Sequence, residues 1–266
     1  MNSEKKIDVS IVIISWKMRE LLKRCLETIH FYTENVNYEI IVIDNNSQDG
    51  TAEMIEENFP HIKLIKNSQN RGVAPARNQG IKEAKGDYIL ILDADMELVE
   101  NSIKHLFDFM QNYYDAGIVG CKLVDFNFNV QYSCKKFPTL LAFLFRRLEW
   151  IDFIKNSKTL KEHTMKDWDH NEIRTVDYLI GACQFLRKKV VDEIGMYDDK
   201  IFYGPEDIDF CLRIWKAGWK VYYYPFTKII HHEQRITKKN FFSIISFKHF
   251  EGIFYLYKKY NYKIKI

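Results

Sequence analysis

The stretch Val9-Ser-Ile-Val-Ile-Ile-Ser15 (VSIVIIS) is a continuous run dominated by β-branched residues, as in a strand buried on both faces. Working outward from it, Arg19–His30 carries apolar residues at the spacing of a helix. The alternation continues with predicted strands at Glu39–Ile43, Ile62–Lys66 and Tyr88–Leu92, and a helix at Pro75–Lys85 that Gly86 is expected to close. Strands that alternate with helices in this way predict βαβ units and a mostly parallel central sheet with flanking helices, an α/β fold.

The second part of the chain has a different pattern after about Glu100. A long segment, Phe126–Thr175, reads as irregular and mixes aromatic residues with lysine and arginine. Order returns with a strand-like segment at Val176–Arg187, then helices at Lys189–Ile194 and Ile208–Ala217, and a strand at Lys220–Tyr224. We therefore expect one domain over residues 1–237, made of two halves (about 7–100 and 101–237), and an aromatic and basic tail at 238–266.

Composition limits the classes of function. The 266 residues are 47% hydrophobic and 28% charged, the balance of a folded globular protein. A net charge of +3 is too small to indicate a nucleic acid partner. Five scattered cysteines without a CxxC pair favour reduced thiols over disulfides or a zinc site. With neither a signal-peptide pattern nor an apolar window of about eighteen residues, we expect a cytoplasmic protein.

Polar residues follow three of the predicted strands: Ser15, Asp44, and the pair Asp93 and Asp95. Ligands of parallel sheets bind beyond the carboxyl ends of the strands, where these residues should meet. Two carboxylates in an Asp-Ala-Asp triplet suit Mg²⁺ or Mn²⁺, although a solvated turn has the same pattern. Asp44 could accept a hydrogen bond from a base or a sugar, or it could belong to a turn and helix cap.

Three further groups could carry chemistry. Arg77 lies in the first turns of a predicted helix, where anions bind, and its guanidinium could add a contact to phosphate. Glu206 and Asp207 stand at a loop–helix junction that suits either helix capping or a catalytic base. His231 and His232 follow a strand, where a metal ligand or a structural histidine would fit.

The sequence does not decide the role of two aromatic features, Trp168 and the C-terminal tail. Trp168, within Asp-Trp-Asp-His, could form a platform for a sugar ring of the acceptor or could be structural. The tail has many aromatic residues followed by lysines, and they do not fall on one clean helical face. Contact with an anionic membrane surface and packing against the domain or a partner chain are both compatible with this tail.

The chain resembles the family 2 glycosyltransferases over about residues 7–237, in the segments VSIVIISWK, IIVIDNNSQDGT, NRGVAPARNQGIKEAKGDYILILDAD, VDYLIGACQFLRKKVVDEIGMYDDKIFYGPEDIDFCLRIWKAGWKVYYYP and the following His231. The segments QYSCKKFPTL and MKDWDH are similar to the rhamnosyltransferase-like branch. The resemblance implies a GT-A type fold with a Rossmann-like half, residues 7–100, for the nucleotide sugar. Residues 101–237 would bind the acceptor.

On the donor side, the resemblance implies contacts to the nucleotide sugar from four residues. Ser15 would meet the nucleotide, Asp44 the base, and Asp93 the ribose, with Arg77 near the base and phosphates. Lys17 stands where many members carry Asn, so contacts near the base are expected to differ.

For the reaction, the resemblance assigns the catalytic base to Asp207 and an acceptor or loop contact to Glu206. Asp95 and His231 would bind Mg²⁺ or Mn²⁺, with His232 the weaker candidate. The implied activity is inverting transfer from a nucleoside diphosphate sugar, such as dTDP-rhamnose or a UDP-sugar, to a polysaccharide or lipid-linked glycan. The chain departs from the family in two further places. Gly204-Pro205 replaces the more usual aromatic-containing segment before Glu206 and Asp207, which affects the approach to the base. Glu233–Arg235 lack the glycines often seen after the histidine, which affects the loop over the diphosphate.

Three other classes fit the motifs less well. Nucleotidyltransferases have a glycine-rich loop after the first strand, where this chain has Ser15-Trp16-Lys17. Dinucleotide-dependent oxidoreductases need GxGxxG at the same place. An inactive nucleotide- or carbohydrate-binding relative would have lost Asp95 or Asp207, and both are present.

Overall fold

A computed structural model describes residues 6–234 and 244–265 and has a central mixed sheet between layers of helices. The strands are β1 (Val9–Ser15), β2 (Tyr38–Asp44), β3 (Lys63–Lys66), β4 (Tyr88–Asp93), β5 (Met96–Leu98), β6 (Ala116–Val124), β7 (Val130–Gln131), β8 (Cys134–Lys135), β9 (Arg174–Thr175), β10 (Tyr178–Leu179), β11 (Cys183–Arg187) and β12 (Lys220–His231). The helices are α1 (Arg19–Tyr32), α2 (Thr51–Asn58), α3 (Val73–Glu83), α4 (Ser102–Asn112), α5 (Leu140–Arg147), α6 (Asp152–Lys155), α7 (Lys158–Thr164), α8 (Lys188–Ile194), α9 (Glu206–Lys216) and α10 (Ile244–Lys259).

The sheet has the strand order β3-β2-β1-β4-β11-β6-β12-β5. The first four strands in this order are parallel to one another. Strands β2 and β3 are added on one side of β1 and β4 on the other side, so the strand order reverses at β1. In the register of these strands Ser15 is opposite Asp44, and Ile14 is opposite Asp93. The predicted meeting of the three strand ends at one edge is therefore confirmed.

The second half adds strands of both directions. β11 is antiparallel to both β4 and β6, and β12 runs parallel to β6. The end of β12 pairs with β5, so that His231 lies opposite Met96, and the backbone N–H of His232 donates to the carbonyl of Asp95. This pairing carries a residue from the far end of the sequence to the Asp93–Asp95 turn.

The core lies on both faces of the sheet because side chains alternate along each strand. Val9, Ile11 and Ile13 of β1 face the layer that contains α1, α2 and α4. Val12 faces the layer that contains α3, α8, α9 and α10. Helix α3 approaches β1 so closely that a side chain at Gly80 would overlap Val12.

Several local expectations are wrong in detail. Helix α3 covers Val73–Glu83 rather than Pro75–Lys85, and it ends before Gly86. The segment 126–175 is not uniformly irregular, since it contains three short helices and three two-residue strands. Strand β12 continues beyond Tyr224 to His231 through an irregularity in its pairing with β6.

The tail forms helix α10 from Ile244, and Leu256 and Tyr257 belong to the hydrophobic core. The Tyr257 hydroxyl donates to the carbonyl of Pro138 at 2.7 Å. The predicted boundary between residues 237 and 238 lies outside the described residues. Within the described ranges, no helix is both long enough and apolar enough to cross a membrane.

Candidate active site

The loop that follows β2 and the loop that follows β3 lie side by side at the edge of the sheet, next to Ser15 and Asp44. Asn45 joins them: its amide donates to Asn70 and to the carbonyl of Gly72, and its oxygen accepts from the backbone of Arg71. The side chain of Ser15 is buried, and its hydroxyl has no hydrogen-bond partner among the residues that the structure describes. The contacts of Asn45 hold the two loops together, and a contact of Ser15 to the nucleotide stays a prediction.

Asp93, Asp95 and His231 converge at this edge, with one ligand atom from each lying within 4.8 Å of the others. His231 Nε2 is 3.6 Å from an Asp95 oxygen. Burial and the nearby Asp93 carboxylate together raise the pKa of Asp95 to about 6, against the opposing effect of His231. Two carboxylates and an imidazole brought together in this way fit a divalent cation, whose charge would relieve the repulsion between the carboxylates.

The orientation of His231 is set by Gln131. With the Nδ1 proton assigned from this network, His231 donates to the Gln131 side-chain oxygen at 2.7 Å, and Nε2 faces Asp95. Gln131 in turn donates to the His231 carbonyl at 2.9 Å. The neighbouring His232 lies outside the cluster and pairs with Glu97 at 2.7 Å. Gln131 holds the imidazole in the way that supporting residues orient metal ligands.

Arg77 connects the cluster to the start of α9. Its guanidinium is buried and donates to Glu206 at 3.0 Å, to Asp93 at 3.1 Å and to the carbonyl of Gly181 at 2.8 Å. A side chain at position 181 would collide with the guanidinium. Burial lowers the pKa of Arg77, but Asp93 and Glu206 outweigh this and hold it above its usual value.

These contacts change the interpretation of Arg77. From the sequence, Arg77 is predicted to lie near a helix start and to face phosphate. In the structure it is the fifth residue of α3, and both terminal nitrogens of its guanidinium already donate to protein oxygens. Its contact to the nucleotide stays a prediction. The structure adds a bridge between the two halves of the chain.

Glu206 and Asp207 begin α9, and both are buried. Glu206 accepts from the backbone N–H of Gly204 at 2.7 Å in addition to Arg77, and burial raises its pKa. Asp207 accepts from the N–H of Ile208 at 2.7 Å. Burial raises the pKa of Asp207 to about 6, against the opposing charges of Lys135 and Arg77. A carboxyl group that titrates near neutral pH is suited to accepting a proton.

A sequence model described as "Glycosyl transferase family 2" matches residues 10–195. The chain belongs to this family. It is 25% identical over 241 residues to the N-acetylglucosaminyl-diphospho-decaprenol L-rhamnosyltransferase of Mycobacterium tuberculosis, covering 86% of this chain and 78% of the relative. It is 26% identical to the rhamnosyltransferase WbbL of Escherichia coli, covering 94% of this chain and 93% of that one.

Two solved structures share the fold of this glycosyltransferase. GalNAc-T7 with UDP, GalNAc and Mn²⁺ has a TM-score of 0.63 at 18% identity, over 86% of this chain and 44% of the other. The mannosyltransferase PcManGT of Pyrobaculum calidifontis with GDP-Man and Mn²⁺ has a TM-score of 0.59 at 18% identity, over 87% and 59%. The likeness confirms the GT-A type fold.

Trp168 of the glycosyltransferase is occupied by contacts within the protein. The Arg174 guanidinium lies 4.5 Å from the centre of its ring, and the rings of His170 and Tyr223 lie at 4.3 and 5.2 Å. These contacts favour the structural alternative over a sugar platform, and the acceptor role of Trp168 stays a prediction.

Lys135 is a residue of this site that the sequence did not identify. It lies on β8 opposite Tyr178, and its positive charge is the strongest charge acting on Asp207. Lys135 is buried and the adjacent Lys136, which lies beyond β8, is exposed, and no pattern in the sequence distinguishes the two lysines.

Proposed function

We propose that this glycosyltransferase moves a sugar, with inversion, from a nucleoside diphosphate sugar to a hydroxyl of a polysaccharide or lipid-linked glycan. The observation that carries the proposal is that Arg77 donates both to Asp93 of the Asp93–Asp95–His231 cluster and to Glu206, the neighbour of the buried Asp207. The rhamnosyltransferase relatives favour a rhamnosyl or hexosyl donor, with dTDP-rhamnose and UDP-sugars as the leading candidates.

Asp207 is the proposed base. With a pKa of about 6 it is mostly ionised at neutral pH and can remove the proton of the acceptor hydroxyl. The hydroxyl oxygen then attacks the anomeric carbon from the face opposite the diphosphate, which leaves as the new bond forms. Glu206 keeps the loop at Gly204 in place and shares Arg77 with Asp93.

Asp95 and His231 are the proposed metal ligands, with Asp93 beside them. A divalent ion there would supply positive charge to the leaving diphosphate. The imidazole favours Mn²⁺ over Mg²⁺, because Mg²⁺ prefers oxygen ligands. Ser15 and Asp44 are proposed to contact the nucleotide at the same edge.

We further propose that the protein binds peripherally to the cytoplasmic face of the membrane. Helix α10 packs one side on the core, and four of its apolar residues are exposed at intervals of three or four positions: Ile244, Phe247, Phe250 and Phe254. These residues share one side of the helix with the exposed Glu251, so the side is apolar but not a clean apolar face, in keeping with the expectation from the sequence. Phe241 and Phe242 lie outside the described residues.

A panel of nucleotide sugars tests the proposal, with donor hydrolysis measured in Mg²⁺, in Mn²⁺ and with chelator. We expect one donor to be hydrolysed in a metal-dependent manner, and Asp95→Ala to abolish this. His232→Ala is the matched control, because His232 lies outside the cluster. Binding of a nucleoside diphosphate without turnover of any donor, even with glycan acceptors, would identify an inactive relative.

A further inference from the structure

We propose that helix α10 positions the proposed base, Asp207, by holding the first turn of α9 and the residues that lead into it. The inference rests on the proposed role of Asp207 and adds positioning residues from a part of the chain that carries none of the motifs. Residues 198–205, which lead into α9, are called the approach segment below. The positioning residues are Gly252, Tyr255, Lys259 and Tyr260.

One contact lies just before Asp207, at Pro205, the residue that precedes α9. A Cβ atom at Gly252 would lie 3.1 Å from Cδ of Pro205, which is closer than Cβ atoms usually come to a neighbour. Glycine inside a helix is less favourable than alanine, and at this position it allows α10 to approach Pro205. The carbonyl of Pro205 accepts from the N–H of Asp209 at 3.1 Å, the first hydrogen bond of α9. The place of Pro205 therefore determines where the first turn of α9 lies.

A second contact lies just after Asp207, at the fully buried Asp209. Oδ1 of Asp209 accepts from Nζ of Lys259 at 2.6 Å and from the hydroxyl of Tyr260 at 2.8 Å. Its Oδ2 accepts from Arg213 of α9 at 2.8 Å. Hydrogen bonds between charged groups are stronger than neutral ones, so this carboxylate attaches α9 firmly to the end of α10. The first turn of α9 is thus held by α10 on both sides of Asp207.

Helix α10 also contacts the approach segment. Asp198 accepts from the hydroxyl of Tyr255 at 2.9 Å and from Nζ of Lys259 at 2.7 Å. Gly204 has a φ of +125°, and a side chain there would overlap the ring of His249 of α10. Gly204 and the following proline are also where the chain departs from the family. This departure coincides with the point at which α10 packs on the segment.

The opposite side of the approach segment is attached to α3. The carbonyl of Phe202 accepts from the N–H of Val73 at 2.7 Å. Just before the segment, the side chain of Asn78 donates to the carbonyl of Tyr197 at 2.8 Å and accepts from its N–H at 3.0 Å. The segment therefore lies between α3 and α10, and a shift of α10 changes its position relative to α3.

The test replaces Gly252 by alanine in the full chain. Alanine favours the helix, so the unfolding temperature should stay the same or rise, while the added methyl group displaces Pro205 by a few tenths of an ångström. We expect kcat to fall roughly 3- to 10-fold, because a misplacement of about 1 Å can cost roughly 100-fold. The KM of the donor should not change, since the displacement is at the base and not at the metal cluster. Glu251→Ala is the matched control, because Glu251 is the adjacent residue of the same helix and is exposed.

A second variant, Tyr255→Phe, keeps the ring and removes only the hydrogen bond to Asp198. We expect a smaller fall in kcat than in Gly252→Ala. The backbone amides of the approach segment should exchange hydrogen for deuterium several-fold faster than in the wild-type protein, since a bond that restrains the segment is lost. Mass spectrometry of the exchanged protein measures this without substrate.

Wild-type kcat in both Gly252→Ala and Tyr255→Phe would overturn the positioning role, and so would a fall in kcat that Glu251→Ala shares. A lower unfolding temperature with unchanged kcat would mean that α10 only supports the fold, which also overturns it. If the wild-type protein transfers no sugar from any donor, the proposed function is contradicted. The exchange rates then still decide whether α10 holds the approach segment, because unchanged rates in Tyr255→Phe would exclude this.

Discussion

The catalytic proposal depends on the environment of a single carboxyl group, that of Asp207. The start of α9 would by itself stabilise its charge, because helix N-termini favour anions. Burial has the opposite and larger effect, so the pKa rises to about 6. The result is a group that is ionised at neutral pH yet basic enough to accept a proton.

Replacement of this carboxyl group should separate activity from stability. Asp207→Asn is expected to lower kcat by roughly 10²–10⁴-fold, the usual effect of losing a general base. Since the folded-state pKa is raised, ionised Asp207 destabilises the native state at pH 7, and the variant should unfold at the same or a higher temperature. Steady-state kinetics and thermal unfolding check this; turnover near that of the wild type would exclude Asp207 as the base.

The pH dependence follows from the same group. Because the base must be ionised, kcat/KM should fall below a pH of about 6 rather than near 4, where an ordinary aspartate titrates. The measurement is a pH profile at saturating metal. A profile that stays flat down to pH 5 would show that Asp207 does not limit the reaction.

The role of Gln131 can be measured through the metal. Gln131→Ala frees the His231 ring and should weaken Mn²⁺-dependent nucleotide binding by roughly 10- to 100-fold, while His231→Ala should have a larger effect. Calorimetric titration of UDP or dTDP with and without Mn²⁺ provides the test, with His232→Ala as control. Equal metal dependence in all of these variants would rule out the cluster as the metal site.

The sequence predicted the residues of this site that follow long strands and missed those on short ones. Asp44, Asp93 and Asp95 were found because apolar runs lead directly to them. Gln131 and Lys135 lie on strands of two residues, too short for a periodic pattern to show which side chains point inward. The sequence predicted that Arg77 lies on a helix, but not that it pairs with Glu206. The two residues are 129 positions apart, and a pair so distant in sequence has no local pattern that would reveal it.

Among the elements, α10 shows how one helix can have two apolar sides. Leu256 and Tyr257 are buried in the core, while Phe247 and Phe254 are 68% and 63% exposed. From sequence alone the two sets overlap and no amphipathic pattern results. Helix α5 in the segment 126–175 was misread for a related reason, because exposed leucines and buried or half-buried apolar residues alternate around it and leave no amphipathic pattern.

The exposed side of α10 should determine membrane binding. The double variant Phe247→Ser/Phe254→Ser is expected to lose several-fold in co-sedimentation with anionic liposomes, because it removes buried apolar area at the interface. Its stability should be unchanged, since both rings are exposed. Phe31→Ser is the matched control: Phe31 is 75% exposed and lies on α1, at the opposite layer of the sheet. Equal losses in both proteins would mean that the effect is not specific to α10.

At the scale of the whole molecule, Arg77 links the nucleotide-binding half to the proposed acceptor half. Arg77→Met would leave the buried Glu206 without its counter-charge and would remove the contact to the partly exposed Asp93, and we expect it to lower the free energy of unfolding by about 3–5 kcal/mol. Urea denaturation measures the loss. Adding Glu206→Gln should restore part of it, whereas strictly additive effects would show that the pair is not coupled.

The same bridge limits how such enzymes can be recombined. A chimera that joins residues 1–100 of this chain to the second half of another transferase would keep the bridge only if that half supplied a carboxylate at the position of Glu206 and a glycine at the position of Gly181, where a side chain would collide with the guanidinium. Exchange of acceptor specificity by swapping halves therefore has to move these three positions together. Grafts confined to α5–α7 and the neighbouring loops leave the bridge untouched and are the more promising route.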